Sequence, residues 1–288
     1  MLVIDKLKDQ EMFTVTEKRI ADYILQNTAD IPTIYIADLA KLTYASHSAV
    51  IRLCKKIGCN GFREFKLAVS AVVHSQLHKP GPVNVNFPFE PNDPPMVIAK
   101  KMADLTMDAV RKTFVQLDDK TLNNAVEMIS SAERVFLFSK GDSQLRARSF
   151  QNKLIKINKF VIIAEEYSDE SWNAASLTKK DCAIFISYAG RNEKYHRILS
   201  YFQQERVPSI LLTGNNKSPL VKQVSLPIIT IQDEYDFVKI GTFSSQVSFE
   251  YILDTLFSML YAREFQKNLK DLKKKQDLIQ SGILREEA

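Results

Sequence analysis

Apolar positions set the architecture of this chain before any motif does. Ile20, Tyr23 and Ile24 repeat at i, i+3, i+4 behind Thr14-x-x-Glu17, a capping-box pattern, so a helix starts there. A second helix is predicted after Thr33, with Ile36, Leu39 and Ala40 turned inward. The turn Thr43-Tyr44-Ala45 leads to Ser46, which reads as the N-cap of a third helix, and Gly58 reads as its C′ residue. A fourth helix is predicted over 63–78, then long helices over 96–116 and 120–130. Beyond them the period changes. Short apolar runs at 134–139, 160–164, 183–187, 209–213 and 226–230 alternate with helical patterns, the clearest at 143–158 and 193–204. Near-continuous apolar strands separated by helices predict a five-stranded parallel sheet covered on both faces. The segment 243–275 reads as one long helix with a charged end.

Between the two patterns lies KPGPVNVNFPFEPNDPP, which holds six of the ten prolines. Proline lacks an amide donor and fixes φ, so this segment is neither a regular helix nor an interior strand and reads as a semi-rigid linker. The expected organisation is an all-α helix-turn-helix domain over 1–78, a linker over 79–95, an α/β three-layer domain over 96–265 and a charged helical tail over 266–288.

Composition then narrows the class. At 288 residues the chain can build two cores without disulfides. Its three cysteines form no Cys-x-x-Cys pair, and Cys54 and Cys59 read as core and turn residues. The first residues carry too short an apolar run for a signal peptide, and no stretch is long enough to span a membrane, so a cytoplasmic, reduced protein is expected. Neither G-x-G-x-x-G nor G-x-x-x-x-G-K-[ST] occurs, and no nucleotide cofactor is expected. A net charge of +5 does not by itself demand an anionic partner; its placement matters more.

The third helix has the sharpest pattern. Val50, Leu53, Cys54 and Ile57 share one face, and Ser48, Arg52 and Lys55 share another, flanked by His47 and Lys56. Small polar residues at the N-terminal end suit base edges, and the later cations suit bases or phosphates, so Ser46, His47, Ser48, Arg52, Lys55 and Lys56 are the candidate contacts to double-stranded DNA. A solvated amphipathic helix explains the same spacing. In the second half, Ser139-Lys140-Gly141-Asp142-Ser143 and Ser187-Tyr188-Ala189-Gly190-Arg191-Asn192 each join a strand end to a helix, where amide donors bind phosphate. The alternative is that these residues only cap helices. Glu165, Glu166, Glu234 and His196 are acid/base candidates without a recognisable partner. His74-x-x-x-His78 has metal-ligand spacing, but nothing nearby completes a site, and it reads as an exposed helix end. Lys273-Lys274-Lys275 reads as a solvated helix end.

Both halves together resemble the RpiR/MurR-type bacterial transcriptional regulators, an N-terminal helix-turn-helix followed by a sugar-isomerase (SIS) domain. The resemblance runs over about 10–265. It rests on Thr16-Glu17-Lys18-Arg19-Ile20-Ala21-Asp22-Tyr23-Ile24, Ala37-Asp38-Leu39-Ala40, the run from Val50 through Gly58, and Gly61-Phe62-Arg63-Glu64-Phe65-Lys66. In the second half it rests on Ser143, the 187–192 loop, Thr213, Ser218-Pro219-Leu220, Ser244-Ser245 and Asp254-Thr255-Leu256. It implies a regulator of carbohydrate metabolism, controlled by a phosphorylated sugar held at Ser143, Ser187, Ala189, Asn192 and Ser244, with no catalytic residue and no metal. The family's second loop serine is Ala189 here, its loop threonine is Asn192, its first-loop glycine is Ser139 and its arginine after the closing serines is Gln246. Two phosphate-contacting hydroxyls are therefore missing. The competing readings are a regulator whose SIS domain only dimerises and an aldose–ketose phosphate isomerase. A helix-turn-helix protein on a pseudo-palindromic site is expected to be a homo-oligomer, dimer or tetramer.

Overall fold

The computed structural model of the chain describes residues 3–28, 30–77, 83–166 and 169–285. It divides into two compact units, Met1–Gly81 and Pro82–Ala288. His78, the side chain of His74 and residues 79–82 of the proline-rich segment lie outside the described residues.

The first unit contains α1 (Val3–Lys8), α2 (Val15–Gln26), α3 (Ile36–Leu42), α4 (His47–Lys56) and α5 (Phe62–Leu77). The capping box forms: Thr14 Oγ1 accepts from the Glu17 amide at 3.4 Å, and Glu17 Oε2 accepts from the Thr14 amide at 2.8 Å. Ser46 caps α4 by accepting from the Ala49 amide at 3.1 Å, and Gly58 follows the helix with φ +90°. Val50, Leu53, Cys54 and Ile57 are buried with Ile20, Ile24 and Leu39 in one core. The turn from α3 to α4 places Tyr44 at φ +47°, where Arg19 Nη2 donates to its carbonyl at 2.8 Å. Helix α1 has too few residues for its period to show in the sequence. It nevertheless inserts Ile4 and Leu7 into this core, and Lys6 Nζ donates to the Ile57 carbonyl at 2.8 Å.

The second unit opens with α6 (Pro95–Gln116) and α7 (Asp119–Ser131), then alternates β1 (Val135–Ser139), α8 (Asp142–Ile155), β2 (Val161–Ile163), α9 (Glu170–Ala175), β3 (Cys182–Ile186), α10 (Glu193–Glu205), β4 (Ser209–Thr213), a 3₁₀ turn (Pro219–Lys222) and β5 (Leu226–Ile229). All strands are parallel in the order β2-β1-β3-β4-β5. The chain runs outward from β1 to β2 and then crosses back to β3. Right-handed crossovers therefore put α8 and α10 on opposite faces. Phe150 and Leu154 of α8 pack with α11 (Ser244–Arg263) on one face, and Tyr195, Leu199 and Phe202 of α10 pack with α9 on the other. The loops leaving β1 and β3 diverge, and the crevice between them is where open α/β sheets receive ligands.

Two expectations change here. The predicted helix over 243–275 is broken at Glu264, whose backbone leaves the helical region, into α11 and α12 (Phe265–Gln280). The break lets α12 fold back: Asn268 Nδ2 takes the Tyr261 carbonyl at 3.0 Å, and Lys275 Nζ donates to Asn158 Oδ1 at 2.7 Å and to the Ile155 carbonyl at 3.2 Å. Lys275 thus caps the C-terminal end of α8 instead of standing in solvent. The described part of the proline-rich segment, from Val83 onward, is held against the second unit. Asn86 is buried, and its carbonyl accepts from the Ile240 amide at 3.0 Å.

Candidate functional site

On α4 the structure separates the cations of the basic run by what they touch. Ser48, Arg52 and Lys55 fall within about 60° of arc at 3.6 residues per turn, opposite the buried face. All are exposed, as are Ser46 and His47. The side chains of His47, Ser48, Arg52 and Lys55 form no hydrogen bond or ion pair with another described residue. Lys56 is different. Its ammonium lies 2.9 Å from Glu17 Oε2 and 2.5 Å from the Met12 carbonyl, and 5.8 Å over the Phe13 ring. Lys56, expected at a phosphate, thus ties the end of α4 to the start of α2 while remaining exposed. Lys66 is likewise taken up, by the Ile34 carbonyl at 2.9 Å.

In the crevice, parallel pairing sets Ser139 of β1 beside Ile186 of β3, so the residues that follow, Lys140 and Ser187, leave the sheet as neighbours. The 187–192 loop is fixed by its carbonyls. Thr213 Oγ1 donates to the Tyr188 carbonyl at 2.9 Å, Asn215 Nδ2 to that of Ala189 at 2.9 Å and Ser218 Oγ to that of Gly190 at 2.5 Å. With the carbonyls held on one side, the amides of Ala189, Gly190 and Arg191 donate to no described residue. Gly190 adopts φ +62°, and a Cβ there would stand 2.5 Å from Ser218 Oγ, so the loop admits only glycine. Successive amide donors around a left-handed residue form a concave anion receptor. The hydroxyls of Ser143, in the first turn of α8, and of Ser187 also have no partner among the described residues; Ser143 is buried and Ser187 half-buried. Ala189 is half-buried and offers no hydroxyl.

Two members of the expected effector set are spent elsewhere. Asn192 Oδ1 accepts from the Lys194 amide at 3.0 Å and the Tyr195 amide at 3.4 Å, so it caps α10. Ser244 Oγ donates to Asp233 Oδ1 at 2.9 Å. Burial raises the Asp233 carboxyl above its ordinary pKa, against the pull of that hydroxyl and of Lys112. Next to it Glu234, 5% exposed, accepts from the Ser245 amide at 2.7 Å and the Ser245 hydroxyl at 2.9 Å and pairs with Lys239 at 2.9 Å. An internal carboxylate therefore occupies the N-terminus of α11.

The remaining acid/base candidates are scattered. Glu165 pairs with Lys140 at 3.2 Å, Glu166 with Arg148 at 3.3 Å, and His196 Nδ1 faces Gln223 Oε1 at 2.8 Å on the surface. Cys54, Cys59 and Cys182 are buried free thiols, and burial pushes the thiols of Cys54 and Cys182 up to about 12. Sequence reasoning missed Asn215 as a loop anchor and Asn86 altogether. Both act through their side-chain amides on backbone groups, and nothing in their spacing marks them. Ser218 and Thr213 were marked only by family resemblance; their geometry now supplies the reason.

Known proteins share this two-part organisation. A family model described as a helix-turn-helix domain of the rpiR family matches residues 1–76, and a SIS domain model matches residues 128–275. An HTH-type transcriptional regulator of Haemophilus influenzae is 27% identical over 256 residues, covering 88% of each chain. The HTH-type transcriptional regulator YbbH of Bacillus subtilis is 25% identical over 266 residues, covering 92% of each. Among solved structures, the NanR protein of Vibrio vulnificus, complexed with ManNAc-6P, is similar in fold, with a TM-score of 0.58 and 24% identity over 96% of this chain and 97% of that one.

Proposed function

Since this chain belongs to the rpiR-type helix-turn-helix transcriptional regulators that carry a SIS domain, we propose that it binds an operator through the Ser48, Arg52 and Lys55 stripe of α4 and that a phosphorylated sugar in the β1/β3 crevice modulates this binding. Ser46 and His47 sit at the helix end that enters the major groove. Lys56, beside this stripe, ties the end of the helix to the start of α2. The observation that carries the effector half is the row of unspent amides at 189–191 flanked by the unspent hydroxyls of Ser143 and Ser187. Amide donors receive a phosphate whatever the side chains are, so the site tolerates Ala189 and the diversion of Asn192 to α10. The complex of Vibrio vulnificus NanR with ManNAc-6P supports a hexosamine phosphate as the first compound to try.

The test is thermal unfolding of the full chain with N-acetylmannosamine 6-phosphate, glucosamine 6-phosphate, glucose 6-phosphate, fructose 6-phosphate and inorganic phosphate. A binder present at 100 times its Kd stabilises the native state by about 2.7 kcal/mol. Stabilisation by a sugar phosphate, lost in Ser143→Ala, is the expected result. No shift with any compound would favour the second reading, a SIS domain retained for assembly alone, which the Ser244–Asp233 and Asn192–α10 bonds support. Isomerase turnover is not expected, because Glu234 is already shared between Ser245 and Lys239.

A further inference from the structure

We propose that Asn86 is the positioning residue that couples the effector crevice to the DNA-binding unit, by holding the segment 231–243 to the chain that leads into the linker; the inference rests on the sugar-phosphate reading above. The segment 231–243 runs from β5 to α11 and touches every wall of the crevice. Asp236 pairs with Arg191 of the 187–192 loop at 2.6 Å, the Glu234 amide donates to Tyr188 Oη at 2.9 Å, Thr242 hydrogen-bonds Asp142 in the first turn of α8, and Asp233 and Glu234 hold Ser244 and Ser245 of α11. A phosphate entering between Ser143 and the 187–192 loop therefore meets walls that this segment holds.

On its other side the segment is gripped by one side chain. Asn86 is 3% exposed, its Oδ1 accepts from the Tyr235 amide at 2.6 Å, its Nδ2 donates to the Asp233 carbonyl at 3.3 Å and its own carbonyl accepts from the Ile240 amide at 3.0 Å. The side-chain amide thus pairs with the segment as a strand would, which needs a donor and an acceptor on one planar group. Asn84 pre-shapes the turn by accepting from the amides of Asn86 and Phe87 at 3.0 and 3.2 Å. A buried, triply bonded asparagine has no role in a free tether. Only residues 78–82 separate the end of α5 from Val83, and Asn86 is the first buried residue of the second unit among the described residues.

The experiment measures the factor by which a saturating sugar phosphate changes affinity for a duplex, using the full chain. The duplex is the one selected by the parent from a random library, and the sugar phosphate is the tightest of the four named above. A factor of about 5 to 150 is expected for the parent. In Asn86→Ala it should fall to within about twofold of unity, while the sugar-phosphate Kd and the sugar-free DNA Kd each stay within about threefold of the parent. Asn86→Asp keeps the acceptor for Tyr235 and loses the donor to Asp233, and should fall between. In the unaltered protein, sugar phosphate should also change hydrogen exchange at the Tyr235 and Ile240 amides. Coupling retained in Asn86→Ala, or exchange unchanged at both amides, overturns the inference and leaves the effector reading standing. A parent that binds none of the four sugars, or whose DNA affinity none of them changes, overturns the effector reading and the inference with it.

Discussion

Arg52 and Lys56 lie one helical turn apart on α4 and are expected to do different work. Arg52→Ala should cost about 1–3 kcal/mol of operator binding and relax preference at one base pair if it reads guanine. Competition titrations against random DNA measure this; equal loss on both duplexes would make Arg52 a phosphate contact. Lys56→Ala should lower the melting temperature of the first unit and leave the salt dependence of DNA binding unchanged, because its ammonium already belongs to Glu17 and Met12. In the crevice, Ala189→Ser restores a hydrogen bond of about 0.5–1.5 kcal/mol, and calorimetry should find sugar phosphate bound about two- to tenfold tighter. Gly190→Ala should abolish that binding, since its Cβ meets Ser218 Oγ at 2.5 Å. At this scale the sequence was half legible. Buried α4 positions follow from period alone, but a lysine's partner 39 residues away does not, and an asparagine at a helix start reads equally as a cap or a ligand.

Among the elements, the capping box of α2 carries a pH signature. The Thr14 amide, with Lys56, holds the Glu17 carboxyl below its ordinary value of 4.5, against the effect of burial. A carboxyl whose pKa is lowered on folding stabilises the native state above the unfolded pKa, and that contribution is lost as pH falls through the folded one. The first unit should therefore lose stability below about pH 4.5, and Glu17→Gln should flatten that part of the profile. Thermal unfolding between neutral pH and pH 3 measures it. Strands were legible because each is a run rich in apolar residues, and β1, β3 and β4 are buried on both faces. Helices α1 and α9 were not, since six residues give too little period, and nor was the break at Glu264, beyond which Asn268 bonds back to Tyr261 and Lys275 to Asn158.

For the whole molecule, the proline-rich segment announced two units, and the alternation of strands and helices announced the parallel sheet. The strand order was not legible, because right-handed crossovers fix only which face each helix covers once the order is known. The bond from Asn86 to the 231–243 segment was not legible, because residues about 150 apart in the chain meet where one side-chain amide pairs with backbone groups that carry no residue signature. As an operator-binding protein the chain is expected to be a dimer or tetramer that places two α4 helices about 34 Å or a multiple apart. Light scattering with and without DNA tests this, and a monomer on DNA would contradict it. If DNA and a sugar phosphate are linked ligands of one chain, the linkage is reciprocal. The decisive measurement is a paired titration: duplex affinity with and without saturating sugar phosphate, and sugar-phosphate affinity with and without saturating duplex. One factor, about 5 to 150, should appear equally in both directions. Factors of unity in both would contradict it and leave a DNA-binding protein whose second domain senses no sugar phosphate.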